Sequence, residues 1–111
     1  MSAYYELKKS AKGNWSFNLK AGNHQVILTS QSYDSRASAK KGIASLQKNG
    51  RKEASIDRKK STKGQPYFTV LAANKQIIGK SEMYTSESSR AKGIASVMRN
   101  CDTEKIVEVE A

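Results

Sequence analysis

Cys101 and His24 are the side chains best suited to nucleophilic or acid–base work near neutral pH, and each residue type occurs once in the 111 residues. A thiol nucleophile wants a base beside it and a third group to orient that base. His24 lies in a turn-forming stretch, Ala21-Gly22-Asn23-His24, far in sequence from Cys101, which follows a helical stretch among polar neighbours. Acid–base catalysis by carboxyls needs a protected pocket, whereas Glu6, Glu53 and Glu87 sit in polar company. One His and one Cys cannot supply the usual zinc ligand sets, and no carboxylate run has calcium-loop spacing. The glycines are isolated, so neither GxGxxG nor GxxxxGK occurs. The expectation is therefore no catalytic, cofactor-binding or metal-ligating residue, no cofactor, and a protein that is not an enzyme.

Charge is the other chemical feature. The formal net charge is +10, and residues 1–100 hold 19 of the 20 Lys and Arg against six of the ten Asp and Glu. The tail from Cys101 onward is acidic, with Asp102, Glu104, Glu108 and Glu110 against Lys105. Basic residues gather at Arg51-Lys52 and at Arg58-Lys59-Lys60, and a helical stretch adds Arg36, Lys40, Lys41 and Lys48. A basic face tracks phosphate backbones and attracts polyanions. Arg36, Lys40, Lys48, Arg51, Lys52, Arg58, Lys59 and Lys60 are thus the candidate nucleic-acid contacts, with nucleic acid the candidate partner and no strong sequence preference expected. The alternative is a structural or protein-interaction module whose basic charge serves solubility only.

The elements that position these residues come from a duplication. Shifted by 51 residues, the chain falls on itself without a gap: residues 3–49 match 54–100 at about 21 of 47 positions. Lys41-Gly42-Ile43-Ala44-Ser45 lies on Lys92-Gly93-Ile94-Ala95-Ser96. Each copy opens with alternating strands, Tyr4 to Lys9 and then a second carrying Trp15, Phe17 and Leu19 on one side. Lys12-Gly13 and Lys63-Gly64 mark turns in which glycine supplies positive φ. A third strand, Gln25 to Thr29, has apolar residues on both faces. A helix follows, capped by the Asp34-Ser35 and Thr85-Ser86 pairs, with Tyr33 and Tyr84 placed to pack back onto it. Ala39, Ile43 and Leu46 share one helical stripe, as do Ile94, Val97 and Met98 with Ala91 close by. Asn49-Gly50 and Asn100 suit left-handed helix ends. Gly42 and Gly93 sit mid-helix at about 1 kcal/mol cost against alanine, which predicts a close approach of the helix backbone to the sheet or the other helix. The polar pairs Asn23/Asn74, Gln25/Gln76, Ser30/Ser81, Tyr33/Tyr84 and Ser45/Ser96 either line symmetric pockets or serve turns, caps and strand edges. The tail around Lys105 to Val109 alternates like a strand.

The segments Tyr4-Tyr5-Glu6-Leu7-Lys8-Lys9-Ser10, Lys20-Ala21-Gly22-Asn23, Gly42-Ile43-Ala44-Ser45 and Ala72-Ala73-Asn74-Lys75-Gln76-Ile77-Ile78-Gly79 resemble the bacterial YegP-like family. The resemblance runs over about residues 3–100. It implies tandem β(3)-α-β repeats in a single sheet with exchanged C-terminal strands, and no known activity. The expected fold is α+β: a tandem duplication of a β-β-β-α(-β) module, one antiparallel sheet with two helices packed on it, pseudo-twofold symmetric, residues 1–111 forming one domain with a C-terminal strand at 104–110.

No stretch approaches the roughly 20 apolar residues of a membrane span, so no membrane partner is expected. The N-terminus lacks the basic and apolar regions of a signal peptide. A lone cysteine suits a reducing compartment, and the cytoplasm is the expected location. A monomer is expected because the duplication supplies its own pseudo-dimer.

Overall fold

The structure, a computed structural model, describes residues 3–110. Alternation of apolar and polar residues makes each strand one-sided. In β1 (Tyr4–Lys9) and β2 (Trp15–Lys20) the buried positions are Tyr5, Leu7, Phe17 and Leu19. β3 (Val26–Ser30), β4 (Ile56–Lys60), β5 (Pro66–Leu71) and β6 (Ile77–Lys80) complete the two sets of three, and β7 (Ile106–Glu110) closes the chain. The described strands form one sheet in the order β4-β5-β6-β3-β2-β1-β7. Gly13 and Gly64 take φ of 88° and 80° in the first hairpins, as expected, and His24 and Lys75 take 70° and 72° in the second. A β-bulge opposite Leu19/Lys20 lets the consecutive residues Ile27 and Leu28 both be buried on β3, and the equivalent one opposite Val70/Leu71 does the same for Ile78 and Gly79 on β6.

The pseudo-twofold axis passes between β3 and β6, whose antiparallel pairing joins the copies at Thr29–Lys80 and Ser30–Gly79. Both helices cover one face of the sheet over a single core cluster. Helix α1 (Arg36–Asn49) is capped by the Ser35 hydroxyl accepting from the Ser38 N–H, and α2 (Glu87–Asn100) by Ser86 and Ser89 in the same way. Each helix crosses the strands rather than following them. α1 starts with Arg36 paired to Glu108 on β7 and reaches β5 and β6. α2 starts with Arg90 donating to the Lys59 carbonyl on β4, and at its end the Cys101 carbonyl accepts from the Tyr5 hydroxyl on β1.

That crossing sets the direction of the last strand. The Thr103 hydroxyl donates to the Ala3 carbonyl at 2.9 Å, so β7 starts where β1 starts and runs parallel to it from Tyr5–Ile106 to Lys9–Glu110. The sheet is thus mixed: β1 to β6 pair antiparallel as expected, and the exchanged C-terminal strand adds a parallel pair. Among the described residues β4 has no such neighbour on its outer side. The copies diverge accordingly. Buried Leu7 and Ala39 of copy one correspond to exposed Arg58 and to Arg90 in copy two. A charged residue suits an open edge, where an apolar one invites pairing with another chain.

Two local expectations change. Helix α2 runs through Asn100 to a right-handed Cys101 at φ −64°, and Gly50 likewise ends α1 with a right-handed φ of −65°, not a left-handed one. Its lack of a side chain matters for packing, because a Cβ there would lie 2.9 Å from Cβ of Cys101. On α2 the stripe facing the sheet includes Arg90, 8% exposed, while Ala91 faces solvent. Arg90 is buried because its guanidinium satisfies itself on the Lys59 carbonyl at 2.9 Å and on Glu87.

Candidate functional site

The repeated polar residues come together as two grooves related by the pseudo-twofold axis, each with a volume of about 720 Å³. Each takes one wall from the helix of one copy and the other from the second hairpin of the other copy. The first groove sets Tyr33, Lys41 and Ser45 against Asn74, Gln76 and Ile77. The second sets Tyr84, Lys92 and Ser96 against Asn23, Gln25 and Val26. The grooves exist only in the assembled pair, since neither copy supplies both walls.

The tyrosine in each groove explains the mid-helix glycine. Tyr33 is tied to the start of β2 by reciprocal backbone bonds with Trp15 of 2.6 and 2.8 Å. Its ring stacks on Phe17 at 6.1 Å. A Cβ on Gly42 would lie 2.7 Å from Cζ of Tyr33, and one on Gly93 would lie 2.6 Å from Cζ of Tyr84. The close approach expected at these glycines is therefore to the tyrosine preceding the helix, not to the other helix. Tyr84 has a single backbone bond, to the Pro66 carbonyl, because Pro66 has no N–H to return. Burial raises both phenols above their ordinary range, and Glu82 adds to this at Tyr84. Both are therefore protonated donors at neutral pH.

Most of the repeated polar groups also hold the fold. Asn23 and Asn74 accept from the backbone N–H of Gln25 and Gln76 at 3.1 and 3.0 Å. Ser30 and Ser81 accept from the N–H of Phe17 and Phe68. Ser45 and Ser96 accept from the amides of Asn49 and Asn100. The side chains of Gln25, Gln76, Lys41 and Lys92 are exposed and have no hydrogen-bond or ion-pair partner among the described residues.

The eight candidate nucleic-acid contacts do not form one surface. Arg36 lies at the β7 end of the sheet, paired with Glu108. Arg58 and Lys60 lie on β4 at the opposite end, six strand spacings or roughly 30 Å away. Four of the eight are in ion pairs: Arg36, Arg51 with Asp102, Arg58 with Glu53, and Lys59 with Asp57. Lys40 and Lys48 are exposed on α1, and Lys52 is exposed just beyond it. Sequence reasoning passed over Lys92 and Arg99 of the second groove; their signal was the 51-residue shift onto Lys41 and Lys48.

Cys101 and His24 stay apart in function. Cys101 is fully buried beside Gly50, and burial, with Asp102 adding to it, pushes its thiol up to about 11. His24 is exposed and bonds through Nδ1 to the Tyr4 hydroxyl at 2.8 Å. Among the described residues no three His, Cys, Asp or Glu are grouped to hold a metal ion, and no helix is long and apolar enough to cross a membrane.

Sheet order, crossing helices and paired grooves define a class: a tandem-duplicated α+β protein whose two copies share one mixed sheet. The chain belongs to the family described as domain of unknown function DUF1508, whose model matches it twice, at residues 10–57 and 61–108. The two matches are again 51 residues apart. The UPF0339 protein YegP of Yersinia pestis is 50% identical over 97 residues, 87% of each chain. A UPF0339 protein of Mannheimia succiniciproducens is 48% identical over 106 residues, 96% of this chain and 94% of that one. Two solution NMR structures share the fold. The UPF0339 protein of Shewanella oneidensis gives a TM-score of 0.93 at 45% identity, over 99% of this chain and 93% of its own. YegP of Escherichia coli, a protein of unknown function, gives 0.93 at 43%, over 100% and 96%.

Proposed function

We propose that this chain is a non-enzymatic, cytoplasmic, monomeric binding module with weak, sequence-tolerant affinity for polyanions such as nucleic acid. One observation carries the reading. Helix α1 holds four cations and no acidic residue, and Lys40, Lys41 and Lys48 are exposed with no carboxylate partner among the described residues. Lys92 and Arg99 of α2 add to the same helical layer. Uncompensated surface cations gain free energy by displacing the counterions of a phosphate backbone. The ion-paired residues near β4 contribute less, because each already has a carboxylate.

The test is fluorescence anisotropy with labelled single- and double-stranded oligonucleotides across a salt series. Binding that persists near about 150 mM salt with a steep log–log slope supports the reading. Replacing Lys40, Lys41 and Lys48 by Gln is expected to reduce that slope by roughly 2 to 3, at about 0.7–0.9 per phosphate contact. Replacing Arg58, Lys59 and Lys60 should change it less. Absence of binding at that salt favours the second reading, a protein-interaction module whose charge serves solubility. That reading has its own support: Ile106, Val107 and Val109 are 37–38% exposed on the outer strand β7.

A further inference from the structure

We propose that the two grooves are a matched pair of binding sites for a small organic phosphomonoester; they share Lys41, Lys92 and Arg99 with the cationic helical layer described above, while Lys40 and Lys48 lie outside them. The first observation is where the copies have stayed alike. Nine of the eleven positions lining the first groove hold the same residue in the other copy, against twelve of the thirty-six remaining positions of the repeat. Turn, cap and packing duties account for the Asn, Ser, Tyr and Gly pairs. They do not account for Lys41/Lys92 or Gln76/Gln25, which are exposed, identical between copies, and without a partner among the described residues.

The second observation is the chemistry of the walls. Each groove presents a lysine ammonium, a glutamine amide and the free amide nitrogen of an asparagine whose oxygen is already engaged in its turn. Tyrosine and serine hydroxyls stand beside them. The lining carries a net charge of +1 in both: Lys41 alone in the first, and Lys92 with Arg99 against Glu82 in the second. A donor-rich cleft of this kind suits an anion with several acceptor oxygens, and a phosphomonoester offers three. Ile77 and Val26, 38% and 41% exposed, give each groove an apolar wall for the body that bears the phosphate. The volume lies within the ~300–1,000 Å³ of small-molecule sites.

The pseudo-symmetry makes the proposal testable by stoichiometry. The probe is phenyl phosphate, added to the ¹⁵N-labelled protein at physiological salt and followed by amide chemical shifts, with inorganic phosphate and a single-stranded oligonucleotide as parallel arms. Two saturable sites are expected: one shifting residues 41–45 together with 74–78, the other 92–96 with 23–27. Lys41→Gln should remove the first set and leave the second, and Lys92→Gln the reverse. Gln76→Ala should weaken the first site roughly tenfold, the loss of a hydrogen bond to a charged group. Inorganic phosphate should bind both sites more weakly. All three substitutions are at exposed positions, so the fold is retained. Shifts that never saturate, that centre on Lys40 and Lys48, or that persist unchanged in Lys41→Gln overturn the proposal. So does saturation by the oligonucleotide alone. Loss of oligonucleotide binding with the two phenyl phosphate sites intact leaves it standing while removing the polyanion reading.

Discussion

The phenol of Tyr33 rests on the backbone of Gly42, and Tyr84 repeats the contact on Gly93. A Cβ at either glycine would come within 2.6–2.7 Å of the tyrosine Cζ. Helix propensity alone favours alanine over glycine by about 1 kcal/mol, but here the added methyl must displace a ring stacked on Phe17 or Phe68. Gly42→Ala and Gly93→Ala are each expected to destabilise by about 1–3 kcal/mol through overpacking. Urea denaturation measures this. Tyr33→Phe in the Gly42→Ala background should recover part of the loss, because the hydroxyl end is the nearest obstacle.

The buried thiol and phenol beneath the end of α2 set an alkaline limit. Cys101 is raised to about 11, and burial raises Tyr5 further still. From about pH 8.5, where an unfolded cysteine ionises, to 11, the unfolded chain releases protons that the folded one keeps. Stability conferred by these groups is therefore full below about pH 8.5 and falls as pH rises through that window. Urea midpoints between pH 7.5 and 10.5 should decline, and Cys101→Ala should decline less. A native thiol that reacts with a disulfide reagent at the rate of the urea-unfolded protein would contradict this burial.

Removing β7 by truncation after Lys105 strips the parallel partner from β1. The lost ladder bonds, at about 1 kcal/mol each, predict destabilisation on the order of 3–5 kcal/mol in chemical denaturation. Size-exclusion chromatography should also show concentration-dependent association, since the exposed edge of β1 then lies beside apolar core.

The opposite edge offers the converse test. Arg58→Leu with Arg90→Ala gives copy two the residues that copy one has at Leu7 and Ala39. Among the described residues no strand lies outside β4 to cover the new leucine, so the variant is expected to self-associate more than the parent. Light scattering against concentration decides it, and a variant as dispersed as the parent would count against edge protection as the reason for the divergence.

Much was legible in the chain alone. The 51-residue shift revealed the duplication, period-two alternation placed the strands, and Ser35 and Ser86 marked the helix starts. These signals are local: a strand's apolar face, a cap's hydroxyl and a turn glycine's positive φ act within a few residues. Gly42 and Gly93 signalled a close approach, and Tyr33 and Tyr84 signalled packing onto the helix, but nothing local joined the two, because each ring lies nine residues upstream of its glycine and the core sets its course. The scattered lysines looked like one basic face. The sheet order instead put Arg36 and Arg58 at opposite ends and paired both with carboxylates, a long-range outcome that no spacing encodes. The parallel direction of β7, the bare edge of β4 and the two grooves likewise belong to the tertiary structure. Each depends on helices that cross the sheet and bring one copy against the other, and the faces they bury are satisfied only together.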